Sequence, residues 1–348
     1  MSPDIKEAWS GPDKKDGAIS ILKPKDDALH IDMDVRGNAE WWYFDAKLEN
    51  GYMVVGFFRA KHERTGKTGV EITVYTPSGE KIQNITNYSH AELIASKEYP
   101  DVKIGPNYVK VENFDQKLLT YEVFMEEEGY GFHLIFNSIV QGWIPGSGYT
   151  EFDKYGHFGW CVPIPRAKVE GYILVNGEKI AAKGIGYHDH NWLSFNLARF
   201  VKYWYWGRTY SETYTVIYAY IRCNKKMDNY PIKVLMVAEN EDIIHSTGEF
   251  EFNDEKFIYS QSAGNSYPQK LVFKIENVLH LTLDVEEILD ADNLLFEFNP
   301  LLRFLIKYLL RLKPGYFRLK SKFILEVAKG NKKIKDIGET LHEMVVLK

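Results

Sequence analysis

Trp41-Trp42-Tyr43-Phe44-Asp45-Ala46-Lys47-Leu48 leads through Glu49-Asn50-Gly51 into Tyr52-Met53-Val54-Val55-Gly56-Phe57-Phe58, two aromatic and β-branched runs around an Asn-Gly pair. Such a pair suits a tight hairpin turn, so the stretch predicts two antiparallel strands. Val70 to Tyr75, Pro77-Ser78-Gly79-Glu80 and Lys81 to Ile85 repeat the plan, as do Val169 to Val175, Asn176-Gly177 and Glu178 to Lys183. The opening itself recurs. Tyr203-Trp204-Tyr205-Trp206 follows Trp41-Trp42-Tyr43-Phe44 by 162 positions, and at that offset Tyr214-Thr215-Val216-Ile217-Tyr218-Ala219-Tyr220 falls on Tyr52 to Phe58. The turn at Pro77-Ser78-Gly79 likewise falls on Glu239-Asn240-Glu241. Three ungapped correspondences predict two related β domains.

The rest of the chain agrees with an all-β protein. Tyr108 to Glu112, Leu118 to Met125 and Phe132 to Ile139 read as further short strands, and no long amphipathic helical pattern occurs before residue 285, against a nucleotide-binding α/β architecture. Strands closing into barrels or packing as sandwiches are the economical solution. Residues 1–28, with Lys14-Lys15-Asp16-Gly17 and Pro24-Lys25-Asp26-Asp27, read as a polar arm with little to bury; domains then follow at 29–185 and 186–348. Near the end, Pro300 to Lys313 has helix start and stop signals, and Arg303, Lys307 and Arg311 recur every four residues as a basic stripe on an apolar cylinder. That pattern fits either a helix packed on a barrel or peripheral contact with an anionic lipid surface.

Composition narrows the partners. A net charge of -5 gives no global positive field, so nucleic acid is not expected. Two cysteines, Cys161 and Cys223, are too few for a disulfide framework or a thiolate zinc site. No signal-peptide pattern opens the chain and no stretch of some twenty apolar residues occurs, so the expectation is a cytoplasmic protein, at most peripheral to a membrane.

Chemistry concentrates in Gly184-Ile185-Gly186-Tyr187-His188-Asp189-His190-Asn191-Trp192. On a strand, alternation sends Tyr187, Asp189 and Asn191 to one face and His188, His190 and Trp192 to the other, while the glycines leave room for a close neighbour. Asp189 then lies at the seam between the two domains, where ligand sites are common. Upstream, Pro163 and Pro165 are expected to end the strand or loop carrying Trp160, and the hairpin through Asn176-Gly177 returns Tyr187 and Asp189 towards it. A carboxyl group walled by Trp and Tyr is poorly solvated when ionised, so it can serve as a general acid near neutrality while aromatic faces stabilise a cation.

Glu40-Trp41-Trp42-Tyr43, Trp160-Cys161-Val162-Pro163-Ile164-Pro165 and the Gly-x-Gly-Tyr-His-Asp-His-Asn-Trp run resemble the carotenoid 1,2-hydratase (hydroxyneurosporene synthase) family of lipocalin-like proteins. The same superfamily includes fungal lipocalin-like Diels-Alderases, and the resemblance covers roughly residues 35 to 250. It implies two tandem lipocalin-like β-barrels and a cofactor-independent lyase that hydrates an isoprenoid double bond. In the hydratases a Tyr-x-Asp pair and a His-x-Trp pair are essential, the Asp being the proposed proton donor. Tyr187-His188-Asp189 matches the first pair. Only Trp160 matches the second, because His157 lies three positions before it where the family has two, so either His157 or His188 is left for the histidine's role.

Other chemistries fit the residues less well. His188 and His190 share a strand face, but no third ligand stands at a recognisable spacing, so no metal is expected. No Gly-x-Ser-x-Gly elbow occurs, which argues against a serine hydrolase. Glu40 is expected to pair with Arg59 or Arg166 rather than act as a second acid. Trp41, Trp42, Tyr43, Trp192, Trp204 and Trp206 are expected to wall the substrate pocket. A pericyclase or cyclase, or a non-catalytic carrier of a hydrophobic ligand, would use the same cage, and only hydration demands the acid.

Overall fold

The computed structural model describes residues 4–9, 16–114, 117–293, 314–330 and 332–347. Gly51 takes a φ of +86° in the first hairpin, and Asn176 and Gly177 take +54° and +79°, the left-handed pair that a two-residue turn between long twisted strands requires. Thirteen strands make one sheet: β1 (Ile5–Lys6), β2 (Ala39–Leu48), β3 (Met53–Lys61), β4 (Thr68–Tyr75), β5 (Lys81–Tyr88), β6 (Leu93–Ala95), β7 (Val102–Ile104), β8 (Asn107–Glu112), β9 (Thr120–Glu127), β10 (Tyr130–Ser138), β11 (Tyr149–Phe152), β12 (His157–Val175) and β13 (Glu178–Leu193). Nine make the other: β14 (Val201–Tyr210), β15 (Tyr214–Cys223), β16 (Pro231–Glu239), β17 (Asp242–Thr247), β18 (Glu251–Ser260), β19 (Asn265–Ile275), β20 (Leu279–Asn293), β21 (Gly315–Lys329) and β22 (Lys332–Val346). Among the described residues the only helical turns are short 3-10 ones, and no helix is long and apolar enough to cross a membrane. The helix expected over 300–313, with Arg303, Lys307 and Arg311, lies outside the described residues.

The two sheets share one plan. Their strand orders are β5-β4-β3-β2-β13-β12-β10-β9-β8-β7-β6 and β17-β16-β15-β14-β22-β21-β20-β19-β18. In each, a four-strand meander comes first and the last strand of the unit returns to pair with the first strand of that meander. The offset of 162 carries β2 onto β14 residue for residue. The first sheet curls into a nearly closed barrel and the second into a half-barrel, a less complete closure than two full barrels.

Three expectations from sequence change. The boundary at 185/186 falls inside β13, which belongs wholly to the first sheet; the change of sheet comes after Leu193 and before Val201. Pro163 and Pro165 do not end a strand, because β12 runs through both with register shifts between Cys161 and Ile164 and between Ile164 and Ala167. A bulge leaves a residue unpaired, which is where a proline without an N–H is tolerated. The N-terminal segment is more than an arm: Ile5–Lys6 pairs with β11, and Ala8, Ser20, Asp27 and Ala28 are buried.

One apolar cluster fills the barrel around Trp42, Phe44, Phe58 and Phe136, and another backs the second sheet around Tyr218, Phe273 and Phe317. A third lies where the sheets meet, joining Tyr43, Val55, Trp160 and Tyr187 to Ile217, Val234 and Met236. The central strands are thus covered on both faces, which is why β15 reads from Val216 to Ile221 as an unbroken apolar run rather than an alternating one. At Gly186 a Cβ would come within 2.6 Å of Phe136 and Val169, so that glycine admits the barrel core up to the backbone of β13.

Candidate active site

β13 divides two environments. It is flanked by β12 and β2, with Trp160 opposite Asn191, Tyr43 opposite Asp189 and Asp45 opposite Tyr187. Side chains on odd positions of β13 therefore join those of Trp41, Tyr43, Asp45 and Trp160 on the face towards the second sheet, as the alternation predicts. Asp189 Oδ2 accepts hydrogen bonds from Trp160 Nε1 at 3.1 Å and Tyr187 OH at 2.9 Å, and its Oδ1 accepts one from Asn191 Nδ2 at 2.9 Å. The residue is only 5% exposed. Burial pushes its carboxyl up to about 6, against the pull of Tyr187, Trp160 and His188. The carboxyl therefore keeps its proton up to about pH 6, where an ordinary carboxylate is already ionised.

Asp189 and Asn191 open into a cavity of about 360 Å³ between the sheets. Trp41, Tyr43, Phe57 and Trp160 line it from the first sheet; Trp204, Trp206, Ile221 and Val345 line it from the second. Polar groups that local sequence patterns did not disclose stand at this seam, Tyr316 and Glu343 in the cavity lining and Arg208 and Asp45 outside it. Arg208 donates to Asp45 Oδ1, Tyr43 OH donates to Asp45 Oδ2 at 2.7 Å, and Tyr316 OH donates to Glu343 Oε1 at 2.7 Å. The Arg208 guanidinium lies 4.5 Å from the centroid of Tyr187, whose ring is fully buried. Tyr187 thus holds Asp189 from behind the cavity wall, whose own aromatic lining includes Trp41, Trp160, Trp204 and Trp206.

The even positions of β13 face the barrel. His188 stacks on Phe44 with centroids 4.0 Å apart, its Nδ1 donates to the Tyr43 carbonyl at 2.9 Å, and its Nε2 faces Asp27 Oδ2 at 3.2 Å. His190 stacks on Trp42, and Trp192 on His30. His188, Trp42 and Trp192 consequently leave the pocket, because a strand cannot present neighbouring residues to one face. His157 leaves it too: it packs edge-on to Tyr149 and beside Ser194, at a separate surface depression. Neither histidine bonds to Asp189.

This second face holds a buried ionic network. His190 Nε2 lies 2.8 Å from Glu40 Oε1 and its Nδ1 lies 3.2 Å from Asp27 Oδ1. Glu40 also accepts from the backbone N–H groups of His30 and Ile31, and so pairs with neither Arg59, which bonds Glu71, nor Arg166, which donates to the Ser211 carbonyl. Donor atoms of Asp27, Cys161 and His190 come within 4.8 Å of one another, but the thiol of Cys161, pushed up by burial, already donates to the Asp26 carbonyl at 3.1 Å. Burial opposes charge on His190, yet the carboxylates of Asp27 and Glu40 that face its two ring nitrogens prevail and raise it to about 8. Its proton is held more tightly in the folded chain, so this stabilisation is complete below about 6.5 and is lost as pH rises through about 8. The urea midpoint should fall across that window in the native protein and stay flatter in His190→Gln; equal slopes would refute a buried imidazolium.

Residues 140–270, the span that carries Trp160, Tyr187, Asp189, Trp206 and Arg208, match the Diels-Alderase-like family model. Hydroxyneurosporene dehydrogenase of Chlorobaculum tepidum is 26% identical over 258 residues, 62% of this chain and 63% of that protein. The chain thus spans less than two thirds of that relative's length. Over these residues the chain is similar to those proteins. Kievitone hydratase from Nectria haematococca shares the architecture with a TM-score of 0.57 at 17% identity, covering 98% of each chain. CghA does so with a TM-score of 0.62 at 11% identity, covering 99% of this chain and 97% of that one. Both sheets and the seam between them therefore belong to the common fold.

Proposed function

We propose that the protein is a cofactor-independent hydratase that adds water to a carbon-carbon double bond of an isoprenoid or carotenoid-like substrate, with Asp189 as the general acid. The observation that carries this reading is the buried carboxyl of Asp189, held up at about 6 and anchored by Trp160 and Tyr187 at the wall of an aromatic cavity. Protonating an alkene carbon needs a donor that keeps its proton near neutrality, and the cation that forms needs aromatic faces and little competing water. Hydroxyneurosporene dehydrogenase among the relatives and kievitone hydratase among the shared folds support the direction.

A cyclase that folds a polyene in the same cage is the second reading, favoured by the Diels-Alderase-like match over 140–270. Incubation with farnesol, geranylgeraniol and squalene in heavy-oxygen water separates the two. Hydration yields an alcohol carrying the label; cyclisation yields an unlabelled product of unchanged mass; a carrier returns the probe untouched. An unlabelled product, or none from any probe, would refute hydration.

A further inference from the structure

We propose that Glu343 is the second carboxyl group of the reaction, the base that takes a proton from the attacking water. This rests on the hydratase reading and adds to it the group on the other wall. Glu343 lies on β22, whose place in the second sheet matches that of β13 in the first, since each is the last strand of its unit and pairs with the first strand of its meander. The shared topology thus brings a carboxyl-bearing central strand to either side of one cavity. Glu343 lines that cavity between its cross-strand neighbours Trp206 and Arg318, with its side chain 18% exposed.

The two oxygens of Glu343 differ. Oε1 accepts from Tyr316 OH at 2.7 Å and stands 3.8 Å from Arg318 Nη2. No hydrogen bond to Oε2 forms among the described residues, and Oε2 is not among the fully enclosed polar atoms that lack a partner. One oxygen is therefore an anchor and the other is free to receive a proton. Burial pushes the carboxyl up from its ordinary value, against Arg318 and Tyr316, which makes its ionised form a stronger base than a surface carboxylate.

The step balances without a further reagent. The alkene π pair takes the proton of Asp189 and a C–H bond forms, leaving a cation at the more substituted carbon. A lone pair of water forms the C–O bond, one O–H bond of that water breaks, and its proton goes to Glu343 Oε2. Asp189 ends as a carboxylate and Glu343 as a neutral acid, and exchange with water restores both.

The test uses the full chain with geranylgeraniol, farnesol and squalene in heavy-oxygen, deuterated water, reading two signals: labelled alcohol, and deuterium in the recovered alkene. Deuterium enters whenever Asp189 protonates the alkene and the cation then reverts. Glu343→Gln is expected to lower labelled alcohol by about 10²-fold or more while deuterium exchange continues. Asp189→Asn should lose both signals. Tyr316→Phe, which keeps the carboxylate and removes its anchor, should show the Glu343→Gln split in milder form and serves if the Gln variant does not fold. Undiminished hydration in folded Glu343→Gln would overturn the role, and so would parallel loss of both signals in folded Glu343→Gln and Tyr316→Phe. A native protein that gives neither signal with any probe would instead overturn the hydratase reading, and the role of Glu343 with it.

Discussion

Asp189→Asn is expected to lower hydration by about 10²–10⁴-fold, the usual contribution of a positioned general acid, while ligand affinity stays close to native. The substitution keeps size and the capacity to accept from Trp160 and Tyr187, so the cavity wall is preserved and only the dissociable proton is removed. Four tryptophans line the cavity, so quenching of indole fluorescence can report binding independently of turnover. The pH profile gives a second signature. A donor with its carboxyl at about 6 is progressively ionised above that pH, so the native rate should fall as pH rises beyond about 6, and the residual rate of the Asn variant should lack that limb. An Asn variant that hydrates normally would remove Asp189 from the chemistry.

Half of this site was legible from alternation alone. Tyr187, Asp189 and Asn191 had to share a face, and Asn176-Gly177 had to fold β13 back along β12, so Trp160 and Asp189 were bound to meet. The same rule excluded His188 from the pocket, and the resemblance to hydratases kept it in view only because the family requires a histidine. Asp27 was hidden by composition: Pro24-Lys25-Asp26-Asp27 looks solvated, yet Asp27 is wholly buried against His188, His190 and Tyr121. Glu343 was hidden by alternation itself. In Leu341-His342-Glu343-Met344 it reads as the outward residue between two buried ones, which would hold for a sheet with one wet face, whereas both faces of β22 are covered over this last part of the strand. One signal was present and unused: Arg208 follows the aromatic run Tyr203 to Trp206 and Arg318 stands between Phe317 and Leu319, and a charge in such a setting calls for a partner across the chain.

Arg208→Leu is expected to destabilise the fold by about 3–5 kcal/mol, because it strands the Asp45 carboxylate in the seam between the sheets. The side chains of Asp45 and Arg208 are 2% and 14% exposed, and besides Arg208 the carboxylate has only Tyr43 OH as a hydrogen-bond donor among the described residues. Breaking a buried pair from one side costs more than removing both charges, so Asp45→Asn combined with Arg208→Leu should regain most of the loss in urea melts, since the amide oxygen introduced there can still accept from Tyr43. The same change reaches the chemistry through Asp189. The negative charge of Asp45 already adds to the upward push on Asp189, and without Arg208 to offset it that push grows. In the single variant the falling limb of the pH–rate profile should therefore move to higher pH, and in the double variant it should return to or below its native position. A limb that stays fixed in both would mean that the ion pair only joins the sheets and does not tune the acid.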